Sequence, residues 1–230
     1  MKTARSIVLL TTLPLLAVMP PTPEAPPPSF TGASPIVIET ALLHAAPAIR
    51  PAALRAALAA WSNLNSRGEV SRSLLTVIDY GLPSTTKRMW VFDLVSCRLL
   101  FHELVAHGRN SGEDLTQSFS NEAGSLMTSL GAFVTGATYT GRNGYSLRLR
   151  GMEPGVNDQA EARAIVLHGA PYVGEEVAHE LGRLGRSNGC PAVRPAIARS
   201  LIDQLQDRTL LYAWHPSMEE TAHATFLATR

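Results

Sequence analysis

Residues 74–106 read LLTVIDYGLPSTTKRMWVFDLVSCRLLFHELVA. Three short runs rich in Val, Leu, Ile and aromatic residues, at 74–80, 89–95 and 98–106, are separated by turn residues, a pattern typical of successive β-strands. The second and third runs predict a hairpin that turns at Val95, Ser96 and Cys97. This stretch decides the fold class, because a chain built from alternating strands and helices would not place three strands in succession.

The regions on either side of this stretch add further strands and a few helices. Strands are predicted at 131–139, 146–149, 163–168 and 210–214, and helices at 36–46, 51–64, 177–181 and 197–206. Strands dominate the middle of the chain, and helices lie at its ends and in one late insertion. The sequence therefore predicts a mainly β domain with added α-helices.

The N-terminus has the pattern of an export signal. Lys2 and Arg5 precede an apolar run over residues 7–19, which is too short to cross a bilayer comfortably. An uncleaved membrane anchor or a buried helix is the alternative interpretation. We expect residues 1–25 to be a signal peptide and the protein to be exported to the periplasm or cell envelope.

Composition excludes several classes of function. The net charge is +1 and hydrophobic content is 45%, so neither a basic excess for nucleic acid nor an acidic tail is present. No second apolar stretch is long enough for an integral membrane domain. No closely spaced Cys and His pattern, such as Cys-x-x-Cys, predicts a metal site.

Two segments carry the candidate chemistry. An apolar strand delivers His168 and Gly169, and Cys190 follows His168 by 22 positions at the end of the small-residue turn GRSNGC. A thiolate is a nucleophile, and a nearby imidazole is the natural base for it. Backbone N–H groups at the turn could bind an oxyanion, and the candidate donors are Asn188, Gly189 and Cys190.

Several separated blocks of sequence resemble the YkuD-like murein L,D-transpeptidase catalytic domain family. Members carry His-Gly, a spacer and Ser-x-Gly-Cys, which correspond here to His168, Gly169 and residues 187–190. Further similar blocks lie at 88–94, 105–112, 119–121, 129–131, 144–149, 165–172 and 182–193. The resemblance spans residues 74–214 and keeps the blocks in order.

The resemblance implies a β-sandwich or barrel-like L,D-transpeptidase fold with the cysteine in a cleft. Cys190 would attack the carbonyl of the third residue of a peptidoglycan stem tetrapeptide, D-alanine would leave, and an amine of a second stem would resolve the thioester. His168 would be the base and then the acid, oriented by the Gly169 carbonyl. Neither a metal nor another cofactor is implied, and a covalent adduct with carbapenem-type β-lactams is expected.

On this interpretation residues 26–70 are a Pro-rich linker with short helices, and residues 71–230 are the catalytic domain. Ala192 stands where typical members have arginine, and Asn188 where many have histidine. These departures keep two alternatives open, namely an L,D-carboxypeptidase that hydrolyses the acyl-enzyme and a non-catalytic wall-binding protein. Arg186 or Arg194 is a candidate to replace the missing arginine.

The remaining candidates for substrate binding have ordinary structural alternatives. The predicted substrate-binding residues are Ser187, Arg186, His107, Ser129, Gly131 and Tyr145. A buried histidine, turn chemistry and an aromatic core residue explain such positions equally well. Cys97 is predicted to be a bystander, with a disulfide to Cys190, which would block the nucleophile, as the alternative.

Overall fold

A computed structural model of the chain describes residues 32–219. The helices are α1 (Pro35–Ala45), α2 (Pro51–Ser66), α3 (Glu175–Leu181) and α4 (Pro195–Leu205). The strands are β1 (Leu74–Asp79), β2 (Met89–Asp93), β3 (Arg98–Glu103), β4 (Gly131–Gly141), β5 (Gly144–Gly151), β6 (Val166–Gly169), β7 (Ala192–Val193) and β8 (Leu210–Trp214). Helices α1, α2 and α4 each begin at a proline, whose fixed φ and missing N–H suit a first helical turn.

All eight strands belong to one mixed sheet in the order β3-β2-β1-β8-β4-β5-β6-β7. The pairs β1–β8 and β6–β7 are parallel, and the other neighbours are antiparallel. The two ends of the sheet approach each other, because the N–H of Ala106 donates to the carbonyl of Ala192 at 2.8 Å. Arg194 beside β7 also donates to Glu103 of β3 at 2.7 and 2.9 Å. The sheet is therefore nearly closed into a barrel, and the predicted fold class is confirmed.

The sheet buries apolar side chains on both faces. Alternate residues of β1 point to opposite sides, so Leu75 and Val77 pack in the same cluster as α2, whereas Ile78 packs in the cluster that contains α4. Helix α2 contributes Ala53, Leu54, Ala57 and Leu64 to the first cluster. Burial on both faces explains why every residue of β1 and β8 is buried, with no alternation between buried and exposed positions.

The two cysteines lie in different cores. Cys97 packs in the cluster with α2, and Cys190 packs in the cluster with α4, on the other face of the sheet. Both thiols are free. Because the sheet separates them, the alternative of a disulfide between Cys97 and Cys190 is wrong for this fold.

The main differences from the sequence prediction lie next to the candidate residues His168 and Cys190. The strand predicted at 163–168 begins only at Val166, since Ala164 has a φ of 54° and residues 153–164 form turns. The two-residue strand β7 was not expected, because so short a strand leaves no periodic pattern.

The predicted signal peptide and the Pro-rich stretch over 20–29 lie outside the described residues. Within residues 32–219, no helix is long and apolar enough to cross a membrane.

Candidate active site

His168 and Cys190 are brought together by the parallel pairing of β6 with β7. His168 lies opposite Ala192 in the register, and its N–H donates to the carbonyl of Pro191 at 3.4 Å. Cys190 directly precedes Pro191, so the cysteine and the histidine occupy adjacent positions at one edge of the sheet. The 21 residues between them, which include α3, return the chain so that the cysteine and the histidine lie side by side.

The turn before Cys190 is held by Ser187 and requires glycine at position 189. The Ser187 hydroxyl donates to the Cys190 carbonyl at 2.6 Å and accepts the N–H of Gly189 at 3.1 Å. Gly189 has a φ of 117°, and a Cβ there would lie 2.7 Å from the Met127 carbonyl oxygen. The N–H of Gly189 is thus engaged by Ser187, although the sequence suggested it as an oxyanion donor. Ser187 shapes this turn by its own hydrogen bonds.

His168 is oriented by its neighbour's carbonyl. Its Nδ1 lies 2.9 Å from the Gly169 oxygen, and because a carbonyl only accepts, Nδ1 carries the proton. The lone pair is therefore on Nε2. Burial lowers the pKa of His168, and the hydrogen bond to Gly169 partly opposes this shift. At neutral pH the imidazole is accordingly uncharged and can accept a proton.

Cys190 rests as a thiol. Burial raises the pKa of Cys190, while the N–H of Val166, 3.5 Å from Sγ, and the guanidinium of Arg163 lower it to a smaller extent. The thiol Sγ also lies 3.7 Å from the carbonyl oxygen of Ala164. A thiol beside a neutral imidazole can react once its proton is transferred to Nε2, as in other activated nucleophiles.

Both residues open into one cavity of about 340 Å³. Five of the residues selected from sequence line it, namely His168, Arg186, Ser187, Asn188 and Cys190. A second cavity of about 320 Å³ lies between α1, α2 and the β2–β3 turn, but its described lining is apolar apart from Ser62 and Ser73. Of these two cavities, the one at His168 and Cys190 combines a nucleophile with a base.

The other predicted substrate-binding residues have other partners and are not among the described residues that line this cavity. Ser129 donates to the Ser120 carbonyl at 2.8 Å. Gly131 begins β4 with a φ of 95°. Tyr145 donates to Asp203 of α4 at 2.5 Å. In this structure these three residues therefore belong to the fold around the site and do not form the cavity wall.

His107 is buried against Arg88 and is not among the described residues that line the cavity. The Arg88 guanidinium donates to His107 Nδ1 at 2.8 Å, and the remaining ring nitrogen lies 3.3 Å from the Gly112 carbonyl oxygen. Burial and the neighbouring cation lower the pKa of His107 to about 4, so the ring stays neutral. These contacts make His107 a structural histidine in this structure, which was the alternative interpretation of its position.

The Arg88 guanidinium is itself fully buried. It donates to the carbonyls of Val105 and Leu82 and to Thr116, and its distances to the acceptors range from 2.7 to 3.2 Å. The segment from Val105 to His107 leads directly to the contact that closes the sheet. Arg88 therefore ties that segment to the strand β2 side of the barrel.

Replacing Arg88 with methionine is expected to lower the free energy of unfolding by about 3 kcal/mol. The change leaves the carbonyls of Val105 and Leu82 and the His107 nitrogen buried without donors. Chemical denaturation followed by tryptophan fluorescence measures the loss. Arg150→Met is the control, because Arg150 forms a half-exposed ion pair with Glu69 and should cost less than about 1 kcal/mol. Equal losses in the two variants would contradict this role.

The sequence did not single out three arginines and a tyrosine that also line the cavity. These residues are Arg109, Arg142, Arg163 and Tyr172. Each lies in a different segment, and only the folded chain brings them to the cysteine. The blocks 105–112 and 165–172 contained Arg109 and Tyr172, but neither an exposed arginine in a turn nor a single tyrosine has a distinguishing pattern in sequence.

Arg163 lines the cavity with Cys190 and holds a neighbouring loop, residues 120–129, through hydrogen bonds. Its guanidinium donates to the carbonyls of Ser120 and Met127 at 2.7 and 2.6 Å, and to the hydroxyls of Ser129 and Ser125 at 2.6 and 3.1 Å. These partners are all uncharged, so the positive charge of Arg163 is not neutralised by an acidic group among them. This charge lowers the pKa of Cys190, against the larger effect of burial.

Alkylation of Cys190 by iodoacetamide is expected to keep accelerating as pH rises above the range in which an ordinary thiol ionises. The reason is the raised pKa, since only the thiolate reacts. Arg163→Gln should slow alkylation at neutral pH about three-fold to ten-fold by removing a cation, whereas Arg163→Lys should retain most of the rate. Intact mass against time, in a Cys97→Ala background, measures both effects. A rate that reaches its plateau near neutrality would contradict the raised pKa.

Comparison with known proteins assigns the family. The family model described as the L,D-transpeptidase catalytic domain matches residues 45–214. A search of curated proteins finds no match. Among solved structures, the helical cell shape determining protein of Campylobacter jejuni is 14% identical, with a TM-score of 0.38, over 62% of this chain and 44% of that one. This chain thus spans less than half the length of the Campylobacter protein.

Two further solved structures are similar to the chain. An L,D-transpeptidase from Mycobacterium smegmatis is 13% identical over 63% of this chain and 68% of that one, with a TM-score of 0.37. An L,D-transpeptidase in complex with imipenem is 12% identical over the same shares, with a TM-score of 0.36. At these TM-scores the assignment rests on the family model, which matches most of the chain. The protein belongs to the L,D-transpeptidase catalytic domain family.

Proposed function

We propose that this protein is a cysteine-dependent L,D-transpeptidase that acts on peptidoglycan stem tetrapeptides in the bacterial cell envelope. The observation that supports this most directly is the position of Cys190 and His168 in one cavity, with His168 Nδ1 bonded to the Gly169 carbonyl. That bond leaves Nε2 as the base. The proposal includes export by residues 1–25 and a catalytic domain over residues 71–230.

The first half-reaction forms a thioester. His168 Nε2 takes the proton of the Cys190 thiol while Sγ attacks the carbonyl carbon of the third stem residue. The developing oxyanion is stabilised by the backbone N–H groups of Cys190 and Asn188. The C–N bond to the terminal D-alanine then breaks, and His168 returns the proton to the leaving nitrogen. D-Alanine departs as a free amino acid.

The second half-reaction transfers the acyl group. An amine of a second stem attacks the thioester carbonyl, and His168 accepts a proton from that amine. The new C–N bond forms as the C–S bond breaks, and the Cys190 sulfur regains its proton from His168. One amide is exchanged for another, so the reaction needs no nucleotide or redox cofactor.

Hydrolysis is the second candidate for this step. The observation that favours it is Ala192, which is fully buried in β7 where typical family members have arginine. Water would then resolve the thioester, and the protein would be an L,D-carboxypeptidase that trims tetrapeptides to tripeptides. A member without catalysis, which only binds the cell wall, would release no D-alanine.

Incubation with purified disaccharide-tetrapeptide tests the proposal. We expect D-alanine release together with cross-linked dimers, and fragmentation by mass spectrometry would identify the linkage. Release of D-alanine without dimers would favour the carboxypeptidase. If neither D-alanine release nor a thioester on Cys190 were detected while the protein still bound sacculi, the enzymatic proposal would be overturned in favour of a wall-binding protein.

A further inference from the structure

The cavity around Cys190 is strongly cationic. Four arginines line it, Arg109, Arg142, Arg163 and Arg186, and no acidic residue is among its described lining residues. In a partly enclosed space, unneutralised cations attract anionic ligands more strongly than they do in open water. A ligand can readily use only those guanidinium groups that are not already bonded within the protein.

Two of the four are already committed to the protein. The N–H groups of the Arg163 guanidinium already donate hydrogen bonds to the loop that contains Ser125 and Met127. Arg186 forms an ion pair with Glu113 at 2.7 Å and also donates to the Gly112 and Arg109 carbonyls. Glu113 is further neutralised by Arg183, 2.9 Å away. A substrate would have to break these contacts to use either guanidinium fully.

The other two are not committed. Within residues 32–219, the guanidinium groups of Arg109 and Arg142 form no hydrogen bond and no ion pair, although both line the cavity. Their backbones are nevertheless placed by the fold. The N–H of Arg109 donates to the Ser187 carbonyl at 2.8 Å, and Arg142 lies in the turn between β4 and β5. A guanidinium presents a planar fork of donors that matches a carboxylate.

The topology places these two arginines on opposite sides of the reacting pair. Strand β5, which follows Arg142, pairs with β6, and Ser146 lies opposite His168. Strand β7 follows Cys190, and the segment 106–109 pairs with β7 and with Ser187. The order across the cleft is therefore Arg142, His168, Cys190 and Arg109.

We propose that Arg109 and Arg142 are specificity residues that bind free carboxylates of the donor stem peptide on the two sides of the scissile bond. This inference rests on the proposed function. The departing D-alanine carries the terminal carboxylate a few bonds from the attacked carbonyl, and the γ-linked glutamate carries another on the other side. Carboxylates at these places would meet uncommitted guanidinium groups. Arg109 and Arg142 would supply the positive charge that is missing at position 192, where alanine replaces the arginine of typical family members.

Three synthetic tetrapeptide donors test the assignment. One has all its carboxylates free, one ends in D-alaninamide, and one carries the α-amide of its glutamate. The rate of thioester formation on Cys190, followed by intact mass, is compared for each donor. We expect the wild type to prefer the free acid over at least one amide by about ten-fold to a hundred-fold. The double variant Arg109→Gln/Arg142→Gln should lose this preference, mainly through a slower reaction with the free acid.

Arg150→Gln is the matched control, since it removes an arginine on the barrel surface away from the cavity and should keep the wild-type preference. The proposal is overturned if the wild type does not distinguish the free acid from either amide, or if the double variant keeps the full preference. Binding of the same peptides to Cys190→Ala, measured by calorimetry, separates this result from the proposed function. A carboxylate preference lost with the arginines would support the site even if no thioester formed.

Discussion

Replacing Cys190 with alanine is expected to abolish D-alanine release from tetrapeptide donors, a loss of at least about 10⁴-fold in rate. The proposed reaction forms a covalent bond between the acyl carbon and Cys190 Sγ. The other cysteine of the chain, Cys97, packs in a different hydrophobic core. Activity is measured by the appearance of D-alanine, and the acyl-enzyme by intact mass. A carbapenem should add its mass to the wild type and should not add it to Cys190→Ala.

Cys97→Ala is the control for this experiment, because it also removes a buried free thiol but on the opposite face of the sheet. It should keep both turnover and the carbapenem adduct. Thermal unfolding of the two variants checks that each is folded, since Cys190 is also a core residue. Continued D-alanine release by folded Cys190→Ala would exclude the thioester mechanism.

Replacing His168 with alanine is expected to reduce kcat/KM by about 10²-fold to 10⁴-fold, the usual contribution of general acid–base catalysis. The loss should be larger than for an ordinary thiol enzyme with a preformed thiolate, because burial holds Cys190 in its protonated form. Added imidazole should restore part of the rate. His179→Ala removes an exposed histidine on α3 and should leave activity unchanged.

The pH profile gives a second test of the role of His168. Burial favours the neutral imidazole, so protonation of His168 requires a lower pH than for an exposed histidine with its ordinary pKa of 6.5. The acidic limb of kcat/KM should therefore fall below pH 6.5, and activity should be retained between that limb and neutrality. An acidic limb that lies above 6.5, or no change of the profile in His168→Ala, would contradict the assignment.

Much of the barrel is predictable from the sequence because its strands carry local signals. Strands β1, β2, β3, β4, β5 and β8 all fall within or close to the runs of β-branched, leucine and aromatic residues. Strand β7 is different, since two residues have no periodicity and are held by the parallel register with β6. The closure of the barrel at Ala106 and Ala192 likewise depends on a contact between residues far apart in the chain.

The candidate nucleophile and base can also be predicted from short sequence motifs. Gly189 is required by a positive φ and a close backbone contact, and Gly169 follows His168 directly, so both belong to compact motifs. Those motifs, together with the ordered blocks around them, were sufficient to select Cys190 and His168. Side chains that surround the pair come from separate turns. Arg142 and Arg163 therefore carried no recognisable signal.

The sequence by itself determined the fold class, the L,D-transpeptidase family and the identity of the proposed reacting pair, because these depend on local patterns and short motifs. Only the tertiary structure decided that His107 is bonded to Arg88 outside the described cavity lining and that Arg109 lines the cavity. It alone placed Cys97 and Cys190 in different cores. The physical reason is that the burial, ion pairs and hydrogen bonds of a side chain depend on which distant segments of the chain come into contact. A local sequence pattern does not specify those contacts.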